Sequence, residues 1–257
     1  MKKVVIALAA LFAVCVAFAW FFWFQVLMLF QTRKVSRENP VIRQVPQSLL
    51  TTSASAAPVS KLSYAGYDFE VPWSDLENDP RVLTNGAALR FKSGMGLLFL
   101  TSPPNELVSS LCEEAVKAKP GTVRLLYGDD AVRSDYDLKR VMLETTPGKV
   151  NLFSSRRDVI RNSMLLILKI STLSKDAESG IFSISNERFK GFQIGNPEMH
   201  PQKVIVDLYS DDGSVELVFR QQEGKLSISQ ADVNRVIQTL RRTGPPLRPV
   251  DVPKGCL

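Results

Sequence analysis

Two aspartate pairs and one histidine are the side chains of this 257-residue chain best suited to polar chemistry. Asp129 and Asp130 follow Gly128 and a short apolar stretch, Val123 to Tyr127, where a strand would hand them to a loop. Asp211 and Asp212 precede Gly213 in what reads as a hairpin turn. Either pair could bind a hard cation, with Asp79 as a further acidic candidate, although none shows the alternating ligand spacing of a calcium loop. His200 sits in NPEMHPQK between Pro197 and Pro201, a loop setting that leaves its imidazole accessible. One histidine without an identifiable partner does not define a general base. The catalytic candidates are therefore Asp129, Asp130 and His200, with no cofactor and no metal expected.

Other signatures are missing. The chain holds no G-x-G-x-x-G, no P-loop, no H-E-x-x-H and no G-x-S-x-G. Ser93-Gly94-Met95-Gly96 reads as a hairpin turn rather than a phosphate cradle. Three cysteines build no disulfide scaffold, although Cys112 and Cys256 could pair and clamp the tail to the domain. Helical spacing puts Cys112 beside Leu107, Leu111 and Ala115, so it reads as a core thiol, which disfavours a Cys112–His200 dyad.

The elements that would position these groups follow from periodicity. Tyr67, Phe69, Val71 and Trp73 alternate with polar residues, as does Leu89 with Arg90 and Phe91 with Lys92. The strand Leu97 to Leu100 follows the Ser93-Gly94 turn. Helices are expected after Ser102, from Ser134 to a stop at Pro147-Gly148, and from about Arg156 to Ser171. Phe182 and Ile184, then Phe192 and Ile194, flank the polar SNERFK turn. Val204, Val206 and Leu208 lead into Asp211-Asp212-Gly213, and Val215, Leu217 and Phe219 lead out, the clearest hairpin in the chain. A last helix opens on Ser229 with Asp232 in the capping-box place and buries Val233, Val236, Ile237 and Leu240. Strands, helices, strands and one helix, without βα alternation, predict an α+β domain: a largely antiparallel sheet of hairpins with about four covering helices.

The chain ends frame this domain. Val4 to Phe30 carries no charge and reads as a transmembrane anchor over residues 1–30, uncleaved despite Ala17-Phe18-Ala19. Residues 31–58 read as a flexible linker, 59–243 as the single domain and 244–257 as a Pro-rich tail. The net charge of +6 lies mostly in the first 58 residues, which hold six Lys/Arg against one acid, so the domain itself has no basic excess for nucleic acid. A signal anchor would put residues 31–257 on the non-cytoplasmic side of a bacterial inner membrane, with the lipid bilayer as partner of residues 4–30. These features predict a membrane-tethered, non-enzymatic module that contacts another envelope protein or a peptide. The alternative is a membrane-anchored hydrolase or small-ligand enzyme using the acidic loop.

Overall fold

Alternating apolar residues pair into hairpins because each strand must bury one face and satisfy its backbone along its edges. The computed structural model describes residues 22–49, 53–57, 59–77, 80–118, 132–173, 175–199, 203–221 and 227–252. Asp79, Asp129, Asp130, His200, Cys256 and the predicted strand Val123–Tyr127 lie outside them.

In chain order the strands are β1 (Gln47–Ser48), β2 (Ser60–Tyr64), β3 (Tyr67–Val71), β4 (Arg81–Leu83), β5 (Gly86–Arg90), β6 (Met95–Ser102), β7 (Ile181–Ser185), β8 (Lys190–Ile194), β9 (Lys203–Ser210), β10 (Gly213–Gln221) and β11 (Arg241–Arg242). The helices are α1 over 22–38, α2 (Glu106–Ala118), α3 (Asp135–Glu144), α4 (Arg156–Thr172) and α5 (Gln230–Thr239). Eight strands form one sheet in the order β1-β7-β8-β9-β10-β6-β5-β4, antiparallel except for the β1–β7 pair. A second sheet has the order β11-β3-β2. The α+β, mainly antiparallel expectation agrees with this architecture.

Each face of the large sheet has its own core. On one face, Leu97, Phe99, Val206, Leu208, Leu217 and Phe219 pack against Tyr67, Phe69 and Val71 of the small sheet and Val233, Val236 and Ile237 of α5. Phe69 stacks on Phe99 with centroids 5.0 Å apart. Ser229 and Asp232 close a capping box at the start of α5, and Arg235 pairs with Glu70 at 2.6 Å, which fixes the helix on β3. On the other face, Phe192 and Ile194 pack against Met142 of α3 and Val159, Leu165 and Leu166 of α4. A third cluster joins Val108 and Cys112 of α2 to Leu138 of α3.

Two local expectations change. Ser102 is not a helix cap: it ends β6, paired with Ser214, and α2 begins four residues later. The β2–β3 hairpin was not legible, and its turn runs through Ala65 and Gly66, both in the left-handed region at φ 48° and 76°.

The transmembrane anchor is corrected. Among the described residues no helix is long and apolar enough to cross a membrane. Residues 1–21 lie outside the described residues, and the described part of the apolar run is helix α1, one face of which packs on the domain while Trp23, Val26, Leu27 and Phe30 stay exposed. Phe24, Met28 and Val35, at helical spacing, pack against the α3–α4 core, with Thr32 and Ser36 buried between them. Arg156 lies 4.8 Å over the Phe24 ring. The expectations that rested on a membrane span therefore fall with it: the signal anchor, the bilayer partner through residues 4–30, the single-pass inner-membrane placement and the membrane-tethered module, whether interaction domain or hydrolase.

Parts of the segment expected as linker are built into the domain. Val41 and Ile42 are buried in a 3-10 turn, and β1 pairs with β7. Ser55 donates its N–H to Ala231 O at 2.9 Å, and Asn234 Nδ2 donates to Ser53 O at 2.9 Å.

Candidate functional site

Four turns converge at one end of the large sheet. Pro104 and Asn105 reverse the chain between β6 and α2, with Asn105 at φ 66°, a conformation asparagine tolerates better than most residues. Ser134 caps α3, accepting the Asp137 N–H on its side chain at 3.2 Å. Asn186 shapes the β7–β8 turn by accepting the N–H groups of Arg188 and Phe189 on Oδ1 at 2.9 and 2.7 Å. Asp211 and Asp212 make the β9–β10 turn. Between these turns lies a cleft of about 470 Å³.

The charged lining is mainly acidic. Asp135, Asp137, Glu187 and Asp211 face it, against Arg188 and Lys190. Two of these carboxylates are engaged in the fold. Asp135 is buried and accepts the Val108 N–H at 2.9 Å, so the first turn of α3 caps the first turn of α2. Asp137 accepts from the Arg133 N–H and pairs with Arg140 at 3.2 Å. The side chains of Glu187 and Asp211 make no hydrogen bond or ion pair with another described residue. Arg188 turns its Nη1 to Leu240 O at 3.3 Å.

Tyrosines supply the floor. Tyr136 stacks on Phe192 with centroids 5.4 Å apart, and meets Tyr209 edge to face at 5.9 Å. Tyr209 and Asp207 share a sheet face because they lie two residues apart on β9. Asp207 stands directly across from Glu216 on β10, a like-charge pair that Lys139 relieves at 3.0 Å from Asp207 Oδ2.

The local field is negative. Burial pushes the Tyr209 phenol well above its ordinary range, and the carboxylates of Asp207, Asp135 and Glu216 push it the same way. Burial also raises the Asp135 carboxyl, against the pull of the N–H groups of Val108, Leu107 and Asn105. Glu216 is raised by partial burial first and by Asp207 second.

Of the acidic residues singled out by sequence, Asp211 lines this cleft, while the backbone carbonyl of Asp212 accepts from Arg242 at 3.3 Å. Asp79, Asp129, Asp130 and His200 lie outside the described residues. Cys112, read as a core thiol, is fully buried and disulfide-bonded. Asp135, Tyr136 and Tyr209 were missed as site residues. The signal for the first two was the DYD triplet after Ser134, read only as a helix start. Among the described residues no group of three or more His, Cys, Asp or Glu side chains is placed to hold a metal ion. No family model, curated protein or solved structure matches the chain.

Proposed function

We propose that the domain binds a small ligand carrying an amine or guanidine group in the cleft between α3 and the β7–β8 and β9–β10 turns. The observation that carries this reading is the meeting of four carboxylates and two tyrosine rings on one concave surface, with Glu187 and Asp211 left without protein partners among the described residues. An organic cation gains from both: charge-assisted hydrogen bonds to the carboxylates, and attraction to a tyrosine face worth about 0.5–2 kcal/mol. An anion is disfavoured there even though a helix N-terminus is near. The first turn of α3 already carries Asp135 and Asp137, and its orphan N–H of Asp137 is taken by Ser134.

The test uses the full chain with agmatine and spermidine as probes, beside inorganic phosphate and glucose as controls. Ligand at about a hundred times its Kd stabilises a fold by about 2.7 kcal/mol, which moves Tm by several degrees. The amines should raise Tm, and titration calorimetry should show saturable binding that weakens with salt. The double variant Glu187→Gln/Asp211→Asn should lose about tenfold or more in affinity. Stabilisation by phosphate or glucose with none by either amine would overturn the reading.

A further inference from the structure

The free charges of the cleft are not all of one sign. Of the six charged residues that line it, Asp135, Asp137 and Arg188 already hold protein partners. Glu187, Asp211 and Lys190 hold none among the described residues. The cleft therefore offers two carboxylates and one ammonium to whatever enters it.

Strand β8 fixes where the ammonium starts. Lys190 lies two residues before Phe192, so the pleat puts both side chains on the sheet face that carries the tyrosines. Phe192 stacks with Tyr136 on that face, and Lys190 stands directly across from Tyr209 of β9. Directly opposed side chains have Cβ atoms roughly 4.5–5.5 Å apart, so the Lys190 stem leaves the sheet beside Tyr209. Asp211 follows Tyr209 by two residues in the β9–β10 turn, and Glu187 precedes Lys190 by three in the β7–β8 turn. Two residues of strand rise about 6.6 Å, so the carboxylates stand at the turns and the ammonium about that far in along the sheet. A short flexible ligand bridges such a separation without folding.

We infer that the ligand of this cleft is a basic α-amino acid of the arginine or lysine type, its carboxylate on Lys190 and its cationic groups on Glu187 and Asp211. The inference rests on the cation-binding reading above and narrows it. An amino acid with a cationic side chain carries two positive groups and one carboxylate, the complement of the cleft's free charges. A bare amine such as agmatine satisfies the acids but leaves Lys190 facing a cation. A free anion such as phosphate meets Lys190 with unmatched carboxylates close by. A carboxylate carried on the same molecule as the cations escapes that repulsion, because the cations neutralise Glu187 and Asp211 first. Lys190 is thus the group that separates an amino acid from its decarboxylated amine.

Titration calorimetry of the full chain with L-arginine, agmatine and argininamide tests it. Agmatine is arginine without the carboxylate, and the amide keeps the size while removing the negative charge. At low salt, arginine should bind about tenfold more tightly than either. Lys190→Met should erase that preference, weakening arginine about tenfold while agmatine binds as well as before or better. Lys190→Arg should retain most of it. Lys190 is exposed, so the ligand-free Met variant should melt with the wild type. Wild-type protein that holds agmatine as tightly as arginine, or a Lys190→Met change that weakens both equally, would overturn the amino-acid assignment and leave the cation reading standing. Saturable binding by none of the three would overturn the cation reading and this inference with it.

Discussion

The carboxylate of Asp135, in the first turn of α3, accepts the backbone N–H of Val108, in the first turn of α2, at 2.9 Å. One side chain thus begins one helix and caps another. Pro104–Asn105, just before α2, and Ser134–Asp137, at the start of α3, line one side of the cleft. Asp135→Ala should cost about 1–3 kcal/mol, since it orphans buried N–H groups. Asp135→Asn keeps an acceptor oxygen and should cost less. Because burial raises this carboxyl above its unfolded value, the folded state holds the proton longer than the unfolded state. Its contribution to stability is full below the ordinary carboxylate range near about 4 and is lost as pH rises through the folded pKa. Urea titrations across acid to neutral pH should therefore show a decline in the wild type that is absent in Asp135→Asn.

Lys169 is a buried ammonium with no carboxylate partner among the described residues. Its Nζ donates to Gln44 O and Leu143 O at 2.6 Å and to Thr145 O at 3.0 Å, joining the N-terminal arm, the end of α3 and α4. Carbonyls at a helix C-terminus suit a cation. Lys169→Met should cost about 3 kcal/mol by leaving three carbonyls unmet. Burial, with Lys149 adding to it, lowers the Lys169 pKa to about 8. The unfolded state, near about 10.4, then binds more protons in between, so stability should rise with pH from about 8 to about 10 through this group. Denaturation midpoints at the two ends of that window, in wild type and Lys169→Met, check the sign. A wild-type midpoint that fell relative to the variant would contradict it.

Gln193 and Gln230 exchange amide hydrogen bonds in both directions, at 2.7 and 2.8 Å, in the core between β8 and α5. Asn234 extends the pair, accepting from Gln230 at 3.0 Å and donating to Ser53 O. Either single change to Leu strands a buried amide and should cost about 2–3 kcal/mol. The double Leu variant should cost clearly less than the sum of the two, a coupling of about 1 kcal/mol or more. Additive costs in a double-mutant cycle would show that the two amides act separately.

Gly66 and Gly244 bring two backbones together. Gly66 O accepts the N–H groups of both Thr243 and Gly244, and a Cβ on Gly244 would stand 2.9 Å from Gly66 Cα. Neither backbone can yield cheaply, so Gly244→Ala should destabilise by about 1–3 kcal/mol. Thermal melting is sufficient to read it. An unchanged Tm would mean that the hairpin turn at Ala65–Gly66 gives way.

The hairpins around Asn186 and Asp211 were readable because turn chemistry and two-residue alternation agreed at each. The caps at Ser134 and Ser229 were readable because a short acceptor stands three residues before an acid. The arm was not readable, for two different reasons. Hydropathy registers that Phe24 and Met28 leave water but not what receives them, here the α3–α4 core. The Ser/Thr/Ala stretch has no apolar period, and Ser53 and Ser55 are held by hydrogen bonds to α5 that pattern cannot foresee. The cleft was legible only at Asp211. Asp135 and Tyr209 lie 74 positions apart in the chain, and only the packing of α3 on β9 brings their charges into one field.

The two ends of the large sheet share a property with a consequence for self-association. Its outermost strands are β1, two residues long, and β4, three residues long with Arg81 exposed. A strand edge is a template on which another chain can add, and a short or charged border strand removes most of that template. The β1 segment therefore acts as a guard: paired with Phe182 and Ser183, it occupies the border of β7 that a neighbouring molecule would otherwise extend. Losing the arm would turn an inward-packed sheet into one open to polymerisation.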